Sequence, residues 1–159
     1  MKNERGVSLV ELLMVVAILG IIASIALPKL TIARQAANEA ATVSTLRSVA
    51  SAEVVYSINT NSFGSLADLG ASAARLIDSS MPTFNSRANS KSGYFYGSAA
   101  SVSTFQVSAT RVTTGAGRKE FIINEVGAVL WKDNAAVPLD LSLSEPRCTG
   151  CVGLSNTGN

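Results

Sequence analysis

The chain has 159 residues, 47% of them hydrophobic, a formal net charge of +2, no histidine and two cysteines, Cys148 and Cys151. That length holds one membrane segment and one modest domain, and so small a charge supplies no bulk attraction for nucleic acid. Without histidine the commonest general base and metal ligand is missing, and two cysteines exclude a four-cysteine zinc centre within the chain.

Residues 1–6 carry Lys2, Glu4 and Arg5 and resemble the charged start of a secretory signal. From Val7 to Leu27 the sequence is a membrane-length apolar run, since about 20 apolar residues span a bilayer. An ordinary signal peptide has a shorter apolar core followed by a small-residue cleavage site. Here no such site follows Leu27, and Gly6 stands immediately before the run. A cut after Gly6 would remove the charges and keep the helix; an uncleaved single-pass anchor is the alternative. Lys2 and Arg5 flank the run on one side, Lys29 and Arg34 on the other, so positive charge alone does not orient it. Glu11 lies about one helical turn inside the run. An ionisable group costs roughly 2.5–3.5 kcal/mol at the centre of a span and less toward an end. Glu11 therefore calls for a partner, the alternative being a carboxylate that reaches headgroup water.

The run Gly6-Val7-Ser8-Leu9-Val10-Glu11-Leu12-Leu13 resembles the type IV pilin family, including the type II secretion pseudopilins. In that family a short basic leader ends in Gly and is followed by an apolar residue, usually Phe, and a Thr- or Ser-Leu-Ile-Glu-like stretch. Glu11 falls at the fifth position after the Gly6–Val7 bond, and Pro28 falls where many members carry a helix-kinking proline. Val7 in place of Phe is a departure. The resemblance covers residues 1–58 closely and the remainder loosely. It implies a prepilin peptidase that cuts after Gly6 on the cytoplasmic side and methylates the amine of Val7. It also implies that Glu11 pairs with the N-terminal amine of a neighbouring subunit; each charge is unfavourable alone in a dry core, and pairing lowers the cost. The implied partners are identical or related pilin subunits, the peptidase/methyltransferase and the inner-membrane assembly machinery. The implied location is the bacterial inner membrane and then an extracellular pilus, or a periplasmic pseudopilus.

Residues 29–58 contain neither Gly nor Pro, and Val43, Leu46, Ala50, Val54 and Ile58 recur at three- and four-residue steps. These mark one apolar face, with Glu39, Thr42, Arg47 and Ser51 elsewhere on the wheel. The pattern predicts a helix over Val7–Ile58, roughly 75–80 Å long at 1.5 Å per residue. It divides into a transmembrane and assembly segment (7–27) and an amphipathic continuation (28–58). A kink or short melted stretch is expected at Pro28, which removes a backbone bond, with added pliancy at Gly20. Ala17, Gly20, Ala23, Ser24 and Ala26 permit close helix approach.

Residues 59–159 read as a globular head. Asn59-Thr60-Asn61-Ser62 ends the helix. A short helical turn is expected at Ser65–Leu69, continuing through Ser72–Asp78, then a polar loop from Pro82 to Ser92. Strands follow at Tyr94–Gly97, at Phe105–Val112 with the period-two alternation of a half-buried strand, at Glu120–Asn124 and at Ala128–Trp131. Thr114–Arg118 and Glu125–Gly127 are the turns between them. Short spacings favour an antiparallel meander. The expected fold is α+β and pilin-like: a long N-terminal helix spine packed on a small antiparallel sheet of about four strands. Tyr56, Phe63-Gly64-Ser65-Leu66 and Asp68-Leu69 also resemble the segment after the helix in many pseudopilins.

No catalytic constellation is visible, and the chain reads as a non-enzyme that needs no cofactor. Cys148-Thr149-Gly150-Cys151 has redox spacing but lies in a Pro/Gly/Ser-rich tail without a βαβ setting, which favours a small disulfide loop formed outside the cytoplasm. Gly115-Ala116-Gly117 reads as a hairpin turn rather than a dinucleotide fingerprint. Asp133, Asn134 and Asp140 are scattered oxygens without EF-hand spacing, so solvated loops are expected and no metal site. Arg75, Arg87, Lys91, Arg111, Arg118 and Lys119 lack the interleaved aromatics of a stacking platform. Tyr56 is the only aromatic in the helical arm, which argues against conduction along stacked rings. The expected function is a type IV pilin-like subunit polymerised into a surface filament for adhesion or motility. A type II secretion pseudopilin and a membrane-tethered monomeric binding protein are the alternatives.

Overall fold

The computed structural model describes residues 8–71, 73–133 and 152–153. The chain divides into two units, Met1–Arg34 and Gln35–Asn159. Its elements are helices α1 (Leu9–Thr60) and α2 (Leu66–Gly70), a 3-10 turn (Met81–Thr83), and strands β1 (Tyr94–Ala100), β2 (Phe105–Arg111), β3 (Lys119–Asn124), β4 (Val129–Asp133) and β5 (Val152–Gly153).

Helix α1 starts one turn before Leu12, whose N–H donates to the Ser8 carbonyl at 3.1 Å. The expected melted stretch at Pro28 is corrected: α1 is unbroken from Leu9 to Thr60 with Pro28 inside it. One proline removes a single backbone bond, and the neighbouring turns keep theirs. Nearby, the Ser24 hydroxyl donates to Ile21 O at 2.7 Å and the Thr31 hydroxyl to Leu27 O at 3.2 Å. The helix runs past the expected Ile58 and stops at Asn61, which adopts φ 58°. Asparagine tolerates that left-handed conformation. Asn61 N–H closes on Ser57 O at 2.9 Å, and the Asn59 and Thr60 side chains satisfy the carbonyls of Val55 and Tyr56.

The short helix expected after Ser65 is α2. Its N-terminus is a capping box: Ser65 Oγ accepts from Asp68 N–H, and Asp68 Oδ2 accepts from Ser65 N–H at 2.8 Å, so each side chain satisfies an orphan amide. The continuation through Ser72–Asp78 is corrected. Ala74 and Arg75 fold back onto Ala71 O, Arg75 takes φ 45°, and Leu76 N–H returns to Leu69 O; Ser72 lies outside the described residues. The loop from Pro82 begins in the 3-10 turn, where Met81 is buried.

The sheet is antiparallel in the order β1-β2-β3-β4-β5. Register pairs Tyr96 with Ala109, Val107 with Ile123, Phe121 with Trp131 and Trp131 with Val152. The last of these pairings adds a strand that the sequence reading lacks, because a two-residue strand carries no alternation to read. At the β3–β4 turn Gly127 adopts φ +75° and donates to Asn124 O.

One side of the sheet packs on α1. Leu46 and Val49 join Tyr94, Tyr96, Phe105, Val107, Ala109, Phe121 and Ile123 in the core, each large apolar side chain contributing about 1.5–3 kcal/mol of transfer free energy. The apolar face expected on α1 is partly corrected. The buried residues are Thr42, Leu46, Val49, Ala52 and Glu53, whereas Val54 is 51% and Ile58 78% exposed. The buried stripe steps by four, three and four residues through Thr42, Leu46, Val49 and Glu53, so polar residues close both its ends and hide it from a hydrophobicity count. The half-buried reading of β2 is corrected too: Gln106 and Ser108 are buried along with Phe105, Val107 and Ala109. Alternation tells which residues share a face, not whether the second face is covered.

Candidate assembly surface and head anchorage

Gly6 and Val7 lie outside the described residues. Glu11 stands in the first turn of α1 and is exposed. Around and beyond it, Leu9, Val10, Leu12, Leu13, Ile18, Ile22 and Leu27 are each more than half exposed. Among the described residues, α1 is the helix long and apolar enough to cross a membrane. A Cβ built on Gly20 meets nothing within 4 Å, so the glycine leaves the helix surface open to a close neighbour. An apolar surface on this scale requires lipid or protein cover.

Within the second unit, one polar face of α1 holds the β2–β3 turn. Gln35 Nε2 donates to Thr114 O and Asn38 Nδ2 to Ala116 O, both at 2.9 Å. Glu39 Oε1 accepts from the N–H groups of Arg118 and Lys119 at 2.6 and 3.2 Å. Spacings of three and four residues bring these side chains to one side of the helix. The turn fits closely: a Cβ on Gly117 would overlap the Tyr94 hydroxyl, which donates to Lys119 O at 2.7 Å. The hairpin turn expected at Gly115-Ala116-Gly117 is present, with Ala116 N–H on Thr113 O. The anchoring role of Glu39 escaped the sequence reading, because nothing in the local sequence says which loop a helix carboxylate meets.

Glu53 was likewise missed. Its side chain is fully buried on the sheet-facing stripe. Oε2 accepts from Gly64 N–H at 3.0 Å, while Oε1 is buried without a hydrogen-bond partner. Burial pushes this carboxyl from 4.5 up to about 7, against the Gly64 hydrogen bond and with the charge of Asp68 adding to the rise. Asp68 itself is held below the usual range by the Ser65 hydroxyl and N–H. An acid one heptad after Leu46 was the available signal.

Several of the basic residues have partners within the head. Arg111 lies 3.8 Å from Glu120 and donates to the carbonyls of Gly117 and Arg118, Lys119 caps the Trp131 ring at 3.7 Å, and Lys91 Nζ lies 3.9 Å from Met81 Sδ. Burial raises the Glu120 carboxyl, opposed by Arg111, Lys132 and Arg87. Asp133 is exposed at the end of β4; Asn134, Asp140, Cys148 and Cys151 lie outside the described residues. Among the described residues no group of three or more His, Cys, Asp or Glu side chains is placed to hold a metal ion.

A long N-terminal helix packed on an antiparallel sheet is the pilin-like α+β fold, and the exposed apolar length of α1 with its single early acid is the feature most open to function. The family model of the prokaryotic N-terminal methylation motif matches residues 1–27. The chain is also 37% identical over 65 residues to the type IV wide pilus major component PilA4 of Thermus thermophilus; the match covers 41% of this chain and 50% of that protein. The chain thus spans about half the length of this curated relative. Motif and match together make the chain similar to pilins and pseudopilins taken as one group, in its hydrophobic N-terminal helix above all.

Proposed function

We propose that the chain is a type IV pilin-like structural subunit, cut after Gly6 and polymerised through α1 into a helical filament that serves as a surface pilus for adhesion or motility. The observation that carries this reading is the methylation motif over residues 1–27 on a helix whose apolar side chains are exposed. In the membrane, lipid covers that surface; in a filament, the α1 segments of neighbouring subunits cover it. Gly20 and Pro28 supply pliancy for the passage from one to the other. Cleavage frees the amine of Val7, and Glu11 of a neighbouring subunit pairs with it. A misregistered subunit leaves both charges unpaired in a dry core, so the pair selects register as well as lowering its own cost. In this reading the protein is the substrate of a prepilin peptidase rather than an enzyme. The Cys148–Cys151 loop, once oxidised, pins the C-terminal tail, contributing about 2 kcal/mol for so short a loop.

The similarity to a wide-pilus component favours a surface pilus. A periplasmic pseudopilus uses the same motif and helix and is the second reading. Glu11→Ala, expressed with the peptidase and assembly machinery, is expected to yield a cleaved subunit that stays in the membrane and forms few or no filaments. Normal filaments from this variant would overturn the pairing.

A further inference from the structure

The joint between the end of α1 and the segment that follows it is held by a buried acid. Glu53 reaches across eleven residues of sequence to the Gly64 amide, and its second oxygen has no partner. Gly64 is wedged in place: a Cβ there would stand 2.8 Å from the Tyr56 ring and 3.2 Å from Asp68 Cβ. On either side the chain is tied down independently. Phe63 N–H donates to Ser101 O at 3.2 Å and its ring lies 5.0 Å from Phe105, while Leu66 N–H donates to Ser98 Oγ at 3.1 Å. Between those ties, Glu53 is the group that changes charge.

We propose that Glu53 and the Gly64 amide form a proton-operated latch, which holds the segment around Gly64 against α1 while Glu53 is neutral and loosens when Glu53 ionises. A neutral carboxyl costs less to bury than an ionised one and still accepts from Gly64 N–H. An ionised one leaves an unsatisfied charged oxygen in the core. The charged group facing it from α2 is Asp68, kept ionised by its capping box and therefore repulsive. Among the described residues no cation acts on Glu53 from α1, α2 or the sheet. Ionisation therefore favours states in which the carboxylate reaches water. The raised titration of Glu53 to about 7 places the change near neutral pH. This inference does not depend on filament assembly.

The test is amide hydrogen exchange at Gly64 in the detergent-solubilised full chain at pH 5.5 and 8.5, corrected for intrinsic exchange. Protection is expected to fall by roughly tenfold or more at the higher pH, one unit of pKa difference being worth a factor of ten. Glu53→Gln keeps the shape and the acceptor but does not titrate, and should abolish the pH dependence. A second readout needs no variant: the Gly64 amide chemical shift of the unaltered protein should titrate near neutrality. Equal protection at both pH values, the same pH dependence in Glu53→Gln, or a Gly64 shift that titrates near the ordinary carboxylate value would each overturn the latch.

Discussion

Glu39 and Glu53 are carboxylates on the same helix, and their surroundings give them opposite tasks. Glu39 is half-buried and accepts two backbone N–H groups of the β2–β3 turn, so it ties that turn to the helix. Glu53 is buried with one N–H donor and a neighbouring acid, which favours its neutral form. The sign of its contribution follows from the raised titration. Stability from this site is greatest below pH 4.5, declines as pH rises toward about 7 and levels off above it. Neither role is legible in the sequence, because both depend on which amide the folded chain brings to the carboxylate. Gly117 is a third residue whose role is set by tertiary contact. With alanine there, a methyl overlaps the Tyr94 hydroxyl. Gly117→Ala is expected to destabilise by about 1–3 kcal/mol, as overpacking usually does. In a Tyr94→Phe background the added cost should be smaller. Equilibrium unfolding of the single and double variants measures this coupling, and an unchanged cost in the Phe background would contradict the steric account.

At the scale of elements, α1 carries two different surfaces. Its early turns are apolar and exposed, while from Gln35 onward one face is anchored by polar contacts and another is buried against the sheet. The helix itself was readable from the Gly- and Pro-free stretch, and the strands from their alternation and intervening turns. The rotation of the buried face was not. Thr42 and Glu53 lie at its ends and carry no hydrophobic signal, and Val54 and Ile58 carry one without being buried. Leu46→Ala is therefore expected to cost about 2–5 kcal/mol in unfolding free energy. Ile58→Ala should stay within about 0.5 kcal/mol, as surface changes do. Thermal or urea unfolding of the two variants tests the assignment; a reversed order would show that the helix meets the sheet through its other face.

For the molecule as a whole, the segment most legible in sequence is the one whose meaning depends least on its own fold. Gly6, Glu11 and the apolar length up to Leu27 follow from what a bilayer permits and what a cut after glycine would leave. The head was legible as a fold class and opaque in its contacts. What joins the two is the proposal that one helix serves first as an anchor and then as a filament core. The most direct test is mass spectrometry of the chain's N-terminus in sheared surface filaments and in membranes from cells that express the assembly machinery. The account predicts that filaments contain a chain beginning at N-methylated Val7. Recovery of this protein only in membranes, with residues 1–6 still attached, would contradict it.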